Sequence, residues 1–180
     1  MFHHIKIGDN SPRVVNAIIE IPRDTHNKYE YDETLDVIRL DRVLHSPMHY
    51  PVDYGFIPGT RSLDGDHLDV MVITDSSVFS GCLLEVRPLG VLLMADEHGI
   101  DEKIIAVPLK NPNYDHFKKF SQIAPHFLLE LEHFFSEYKR LEYKNVTVKG
   151  WKNRLEAYKI IRAAKKRFQD ELKVSAANNK

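Results

Sequence analysis

Residues 64–74 read DGDHLDVMVIT, a turn-like opening that runs directly into the apolar strand pattern LDVMVIT. Turn chemistry explains Asp64 and Gly65, because Asp-Gly is a common turn pair. It does not explain Asp69, which lies inside the strand pattern, where aspartate is depleted and a buried carboxylate needs a cation or a proton. The stretch therefore predicts a strand, and the rest of the chain has to account for its carboxylates.

Further strand patterns fill the part of the chain before residue 110. They are short, rich in Val, Ile and Leu, and separated by Gly, Pro, Asp or Asn. The segments are RVVNAIIEIP, TLDVIRL, LDVMVIT, LLEVRPLGVLLMA and KIIAVPL. Strands so numerous and so closely spaced are typical of an antiparallel barrel or sandwich.

Beyond Pro112 the apolar spacing becomes helical, and Pro125 fits the first turn of a helix. The apolar residues of that helix are Phe127, Leu128, Leu131, Phe134, Phe135, Tyr138 and Leu141. A strand-like NVTVKGW follows, and then Asn153 with Glu156 resembles a capping box that begins a second helix. Its apolar residues are Leu155, Tyr158, Ile161, Phe168 and Leu172. We therefore expect an α+β fold, mainly β with helices packed on it.

Composition limits the class of protein. The 180 residues suit one domain, which we assign to 1–180 with a frayed tail at 174–180. The 25 Lys and Arg balance 26 Asp and Glu, so we expect no nucleic-acid partner and no anionic membrane surface. The single cysteine, Cys82, fits a reducing compartment. Because the sequence has neither a secretory h-region nor a membrane-spanning run, we expect a soluble cytoplasmic protein.

Carboxylates cluster where the predicted strands end. One group is Asp64, Asp66 and Asp69, and another is Asp96, Glu97, Asp101 and Glu102, while Glu20 closes the first strand. If these ends meet at one rim, each pair about 4 Å apart repels by roughly 4 kcal/mol at an effective dielectric of about 20. Bound cations, protonation or a wider spread must relieve that repulsion. Oxygen ligands favour Mg²⁺ or Mn²⁺ over Zn²⁺.

Cations and tyrosines accompany the carboxylates. They are Lys28, Arg42, Lys103, Lys139, Tyr50 and Tyr54. Individually, such residues are most often solvated charges, helix-dipole partners or packed rings. Together with carboxylates they are what phosphoryl transfer requires, because metals neutralise oxygens and activate water while Lys, Arg and Tyr hold the phosphates.

With these segments assembled, the sequence resembles the family I (soluble) inorganic pyrophosphatases. The resemblance covers about residues 12–160 and is carried, in order, by IEIP, KYEY, YPVDYGFIP, DGDHLDV, DEHGIDEK and HFFSEYK. His67 departs from it, because the family usually has Pro or Glu at that position. The resemblance implies an OB-like five-stranded β-barrel with flanking helices and hydrolysis of pyrophosphate to two phosphates. It also implies several Mg²⁺ ions per site, with Mn²⁺ or another divalent ion as the alternative, and a homo-hexamer.

The resemblance also implies a role for each site residue. Asp66 would be the general base, and Asp69 would bridge the metals that bind the attacking water. The implied metal ligands are Asp64, Asp69, Asp101, Asp96 and Glu20. The residues that would grip phosphate oxygens are Lys28, Arg42, Lys103, Tyr54, Tyr138 and Lys139. Glu30 and Tyr50 would support the site.

Three other functions are compatible with the pattern. One is a metal-dependent hydrolase of nucleotides or other phosphate esters, and another is a passive binder of divalent cations. The third is a non-enzymatic OB-like nucleic-acid binder, which the acidic cluster opposes. Relative turnover of pyrophosphate and ATP in Mg²⁺ separates the first from the pyrophosphatase interpretation. A passive cation binder would release no phosphate, and a nucleic-acid binder would show salt-dependent oligonucleotide binding without hydrolysis.

Overall fold

The computed structural model describes residues 2–97 and 99–178. The strands before the helical region are β1 (Val15–Ile21), β2 (Asn27–Asp32), β3 (Val37–Val43), β4 (Asp53–Ile57), β5 (Leu68–Val72), β6 (Leu83–Asp96) and β7 (Gly99–Pro108). The remaining main elements are helix α1 (Pro125–Glu137), strand β8 (Thr147–Asn153) and helix α2 (Arg154–Asn178). Short 3-10 helices lie at Pro112–Tyr114, Phe120–Gln122 and Arg140–Glu142.

Five strands close into a barrel, in the order β1, β4, β5, β7 and β6, and β6 pairs back with β1. Strand β8 adds to β6, while β2 and β3 form a separate two-stranded sheet. The expectation of an α+β, OB-like five-stranded barrel is confirmed. The barrel is not wholly antiparallel, however, because the β6–β7 hairpin brings β7 alongside β5 in a parallel pairing.

Strand β4 shows why one barrel strand escaped the sequence patterns. Its sequence is DYGFI, in which Asp53 and the middle residue, Gly55, leave no continuous apolar run. A Cβ at this position would lie 1.9 Å from the carbonyl oxygen of Ile18 in β1. Only glycine therefore allows the two strands to approach this closely. Conversely, the predicted strand TLDVIRL supplies β3, which belongs to the hairpin with β2 and not to the barrel.

The two helices cover two different apolar clusters. In α1 the predicted residues Leu131, Phe134 and Phe135 are buried, whereas Leu141 lies beyond the helix and is 56% exposed. In α2 the buried residues are Ala157, Ile160, Ile161 and Ala164. Leu155 is exposed because it lies two residues before the buried Ala157, and residues two apart point to different sides of a helix. Leu172 is exposed because the end of α2 extends beyond the barrel.

Asn153 caps α2 as its position in the sequence predicts. Its side-chain Oδ1 accepts hydrogen bonds from the backbone N–H groups of Leu155 at 2.9 Å and Glu156 at 3.4 Å. The carboxylate of Glu156 instead accepts from Lys159. Helix α2 continues to Asn178, so most of the segment 174–180 is helical and only its last two residues lie outside the described chain. None of the helices in the described ranges is both long and apolar enough to cross a membrane.

Candidate active site

The predicted site residues surround one cavity of about 730 Å³. Its acidic lining includes Glu20, Glu30, Asp64, Asp66, Asp69, Asp96 and Asp101. Its basic and tyrosine lining includes Lys28, Arg42, Tyr54, Lys103, Tyr138 and Lys139. Of the predicted site residues, Tyr50 does not line the cavity, and neither do Glu97 and Glu102 of the second acidic group.

The parallel pairing of β5 and β7 builds the centre of this cavity. It sets Asp69 directly opposite Lys103, so the carboxylates that begin the two strands meet at one rim. The long hairpin of β6 and β7 brings the end of β6, with Asp96, close to Asp101. The β2–β3 hairpin contributes Lys28 and Arg42 as paired neighbours. Chain topology, not proximity in the sequence, therefore assembles the site.

Lys103 is the buried cation at the centre, with only 2% of its surface exposed. Its Nζ lies 2.7 Å from Asp69 Oδ2, 2.8 Å from Asp101 Oδ1 and 2.8 Å from the hydroxyl of Tyr54. The Tyr54 hydroxyl in turn donates to Asp69. Burial lowers the pKa of Lys103, but the charges of Asp69 and Asp101 raise it well above its usual value. The ammonium therefore stays charged and neutralises the two carboxylates.

Asp64 and Gly65 form the turn that their sequence predicts. Asp64 Oδ1 accepts from the backbone N–H of Asp66 at 3.0 Å, and Gly65 has a φ of +99°, which favours glycine. The turn leaves Asp66 exposed to the cavity. Partial burial raises the pKa of Asp66, and the charges of Asp64 and Asp69 raise it further. A carboxylate with a raised pKa is a better proton acceptor.

Within the described ranges, no group of three or more His, Cys, Asp and Glu side chains is arranged to hold a metal ion. The lysines account for this, because Lys103 lies between Asp69 and Asp101 and Lys139 Nζ donates to Asp96 at 2.7 Å. The chemistry of the donors still fits a hard cation, since the acidic lining offers carboxylate oxygens only. Neither Asp64 nor Asp66 has an ion-pair partner among the described side chains, so both remain available to such an ion.

Glu20 differs from the other carboxyls. It is 9% exposed, and its Oε1 accepts a 2.7 Å hydrogen bond from the backbone N–H of Tyr31. Burial raises the pKa of Glu20 to about 8, against the lowering effect of that hydrogen bond. Glu20 therefore carries a proton at neutral pH in this structure, and it must lose that proton before it can bind a cation.

Two carboxylates that sequence reasoning missed, Asp41 and Glu142, help to hold the candidate phosphate-binding cations Arg42 and Lys28. Glu142, whose side chain is 6% exposed, accepts from Arg42 Nε at 3.0 Å and lies 3.0 Å from its Nη2. Asp41 accepts from both Arg42 and Lys28, and Lys28 also contacts Glu30. Asp41 adjoins Arg42 in the sequence, but no local signal indicates Glu142, which is 100 residues away.

The three tyrosines form a buried support beneath the cavity. The Tyr50 ring, 1% exposed, lies 5.6 Å from the Tyr54 ring and 6.5 Å from the Tyr138 ring, measured between centroids. Phe134 of α1 packs against Tyr50 at 4.9 Å. Burial raises the pKa of each tyrosine hydroxyl, so each remains a hydrogen-bond donor at neutral pH.

Comparison with known proteins gives a single family. The sequence model described as inorganic pyrophosphatase matches residues 17–169. A relative from Methanosarcina mazei, named inorganic pyrophosphatase, is 48% identical over 159 residues, which are 88% of this chain and 94% of that protein. The crystal structure of inorganic pyrophosphatase from Thermus thermophilus has a TM-score of 0.90 at 43% identity, covering 92% of this chain and 97% of that one. The corresponding structure from Coxiella burnetii has a TM-score of 0.88 at 40% identity, over 91% and 99% of the chains.

Proposed function

Because the chain belongs to the inorganic pyrophosphatase family, whose reaction is the hydrolysis of pyrophosphate to two phosphates, we propose that its activity requires Mg²⁺ and uses Asp66 as the general base. The observation that carries this proposal is that carboxylates and a second set of Lys, Arg and Tyr side chains line the same cavity. A carboxylate set suits divalent cations, and a Lys, Arg and Tyr set suits phosphate oxygens. Pyrophosphate with its metal ions combines both chemistries.

The residues that would hold the cations are Asp64, Asp69, Asp101, Asp96 and Glu20, with Glu30 in support. When bound, the cations neutralise phosphate oxygens and lower the pKa of a water molecule. Oxygen donors of this kind favour Mg²⁺, and Mn²⁺ or another divalent ion is the alternative. Lys103 contacts one oxygen of Asp69, Oδ2, and one oxygen of Asp101, Oδ1, so the second oxygen of each carboxylate would be the one that accepts a cation.

Asp66 takes the proton from the attacking water. Its position suits this role because its side chain faces the cavity and its raised pKa strengthens it as a base. Lys103 and the Tyr54 hydroxyl fix the carboxylate of Asp69, which keeps a neighbouring ligand in place during the proton transfer.

Lys28, Arg42, Tyr138 and Lys139 bind the phosphate oxygens. In this structure Arg42 and Lys28 are paired with carboxylates, so pyrophosphate binds by exchanging those partners. The exchange is favourable because phosphate presents more negative charge than a single carboxylate and accepts bidentate hydrogen bonds from Arg. The neutral Tyr138 hydroxyl adds a donor without adding charge.

We also infer that residues 1–180 form one catalytic domain, which acts in the cytoplasm as a homo-oligomer, a hexamer by family resemblance. The packing of both helices on the same barrel supports the single domain. The balance of 25 basic and 26 acidic residues, with an acidic cavity, argues against a nucleic-acid or membrane partner. The alternative activity on nucleotides or other phosphate esters is not favoured by the family.

The test is phosphate release from pyrophosphate, measured with Mg²⁺, with Mn²⁺ and with excess chelator. We expect activity with the ions and its loss in chelator, and ATP and a phosphate monoester serve as comparison substrates. Full activity in chelator would exclude the metal requirement. Faster turnover of ATP than of pyrophosphate would instead support the nucleotide hydrolase.

A further inference from the structure

The loop that carries Asp64 and Asp66 is anchored by Arg61. The side chain of Arg61 is 16% exposed, and its Nη1 donates to the carbonyl oxygen of Gly65 at 2.7 Å. The same guanidinium donates to Glu33 Oε1 at 2.9 Å and to Glu171 Oε2 at 2.8 Å. Since Gly65 lies between the two aspartates, Arg61 fixes the backbone from which both carboxylates project.

One face of α2 holds Arg61 in turn. The carbonyl oxygen of Ala164 accepts from the backbone N–H of Arg61 at 2.9 Å, and Arg167 Nε donates to the Arg61 carbonyl oxygen at 2.7 Å. The Phe168 ring lies 5.6 Å from the guanidinium carbon, and Glu171 pairs with the guanidinium. Spacings of three, four and seven residues place these groups on the same side of a helix.

His67 fastens the other end of the loop to the same structure. Its Nδ1 lies 2.8 Å from the carbonyl oxygen of Thr60, and its Nε2 lies 3.0 Å from Glu33 Oε1. The imidazole stacks on Phe56 with a centroid distance of 4.8 Å and also contacts the ring of Phe168. Glu33 therefore joins both ends of the loop, at Arg61 and at His67.

We propose that Arg61 and Glu171 are positioning residues for pyrophosphate hydrolysis, through which the end of α2 fixes the orientation of Asp66 and Asp64. This inference rests on the proposed function, in which those two carboxylates take part in the chemical step. A displacement of about 1 Å in a catalytic group can cost on the order of 100-fold in rate. Loosening the loop therefore reduces kcat.

The effect falls on kcat and not on substrate affinity, because the guanidinium of Arg61, although it lines the same cavity, is occupied by Glu33 and Glu171. The phosphate-binding cations lie on other elements. Lys28 and Arg42 belong to the β2–β3 hairpin, and Lys139 follows α1. The free energy of unfolding should change little, because Glu33 and Glu171 are each about half exposed and such ion pairs stabilise a fold weakly. A positioning role and a purely structural role therefore predict different results.

The first experiment compares Glu171→Gln with Asp170→Asn. Both remove one negative charge from adjacent positions of α2, but among the described residues the ion-pair partner of Asp170 is Lys173, on the exposed part of the helix. We expect Glu171→Gln to lower kcat for pyrophosphate by about threefold to tenfold with KM within about twofold of wild type. Asp170→Asn should leave both constants unchanged. An unchanged kcat in Glu171→Gln, or an increase confined to KM, would overturn the proposal.

Arg61→Leu tests the centre of the network, and Arg61→Lys tests rescue. Leucine removes every donor, so we expect a loss of kcat of about tenfold or more in molecules shown to be folded. Lysine keeps the charge but has three donors on one atom in place of the five hydrogen bonds that the Arg61 side chain makes, so its kcat should lie between those of Arg61→Leu and wild type. A folded Arg61→Leu protein with normal kcat contradicts the proposal. If Arg61→Leu does not fold, the comparison of Glu171→Gln with Asp170→Asn decides the question.

A double-mutant cycle tests whether α2 acts through Arg61. The kcat effects of Arg61→Leu and Glu171→Gln should be non-additive because the two residues are in contact, whereas Arg61→Leu and Asp170→Asn should be additive. Additivity of the first pair would overturn the role of the helix. Failure of the proposed function is recognised separately, since wild-type protein would then release no phosphate from pyrophosphate.

Discussion

Asp69 and Lys103 face each other across the parallel strands β5 and β7, with Lys103 Nζ 2.7 Å from Asp69 Oδ2. This pair explains how a carboxylate is accommodated within a barrel strand, because its charge is matched by a cation that is itself buried. Removing the charge of either residue therefore leaves the other charge with one partner fewer.

Asp69→Asn tests this dependence. On repulsion among carboxylates alone, removing one negative charge should leave the fold at least as stable. The pairing with Lys103 reverses that expectation, because the buried ammonium keeps Asp101 but loses Asp69. We expect the free energy of unfolding to fall by roughly 1 to 3 kcal/mol and turnover to fall about 100-fold or more. Denaturant unfolding and phosphate release measure the two effects. Near-normal turnover would remove Asp69 from the site.

Arg42→Lys tests the paired guanidinium. Lysine keeps the charge but not the two parallel bonds to Glu142, and it cannot grip phosphate with two donors in a fixed geometry. We expect KM for pyrophosphate to rise about tenfold, with a loss of stability of about 1 kcal/mol. Arg39→Lys on the same strand is the matched control, because Arg39 is mostly exposed and its ion-pair partner within the described ranges is Asp32. Equal KM values for the two variants would contradict phosphate binding by Arg42.

Glu20 predicts how the stability of the metal-free protein depends on pH. The folded protein holds the Glu20 proton up to about pH 8, whereas the pKa of the unfolded chain is near 4.5. The contribution of Glu20 to stability is therefore complete below pH 4.5 and is lost as the pH rises through about 8. We expect this loss to be on the order of 4 kcal/mol and to disappear in Glu20→Gln.

The measurement for Glu20 is denaturant unfolding between pH 5 and pH 9 in the presence of chelator. Glu130→Gln is a suitable control, since Glu130 is exposed on α1. The control should retain the wild-type slope of stability against pH. A Glu20→Gln protein that also retains that slope would show that Glu20 is ionised when buried.

Asp53→Asn predicts a stability defect without a catalytic one. Asp53 is fully buried, and its Oδ1 accepts from the backbone N–H of Arg23 at 2.8 Å and from Ser77 Oγ at 2.7 Å. Its Oδ2 accepts from the hydroxyl of Thr74. An amide can accept on one oxygen only, so we expect a loss of roughly 2 to 4 kcal/mol. Turnover per folded molecule should be unchanged, because Asp53 does not line the cavity. The exposed Asp115→Asn is the control, and an equal midpoint in both variants would contradict the prediction.

The sequence predicted what local patterns encode. The apolar spacing of α1 and the cap at Asn153 follow from residues a few positions apart, and both are present in the structure. Strand β4 was missed because Gly55 breaks the apolar pattern, although that glycine is required by the close approach of Ile18. The parallel direction of β7 beside β5 was also missed, since no local pattern encodes the direction of a strand.

The residues of the candidate site were likewise predicted from local motifs, whereas their interaction partners were not. The motifs DGDHLDV and DEHGIDEK, with the family resemblance, pointed to carboxylates that do line one cavity, although their individual roles stay predictions. The partners of those residues could not be predicted, because Glu142 and Arg42 are 100 residues apart and Glu171 and Arg61 are 110 residues apart. Such pairs exist only once the barrel and α2 have brought distant segments together.

Closing the barrel through β1 and β6 also bears on self-association. In a closed ring each strand pairs with a neighbour on both sides, whereas β8, which is added outside the ring, keeps an outer edge. That edge carries Lys149 and Lys152, both exposed, and lysines on an edge strand oppose its pairing with a strand of another molecule. Strand β8, which is added outside the ring, is thus protected by charge against edge-to-edge aggregation.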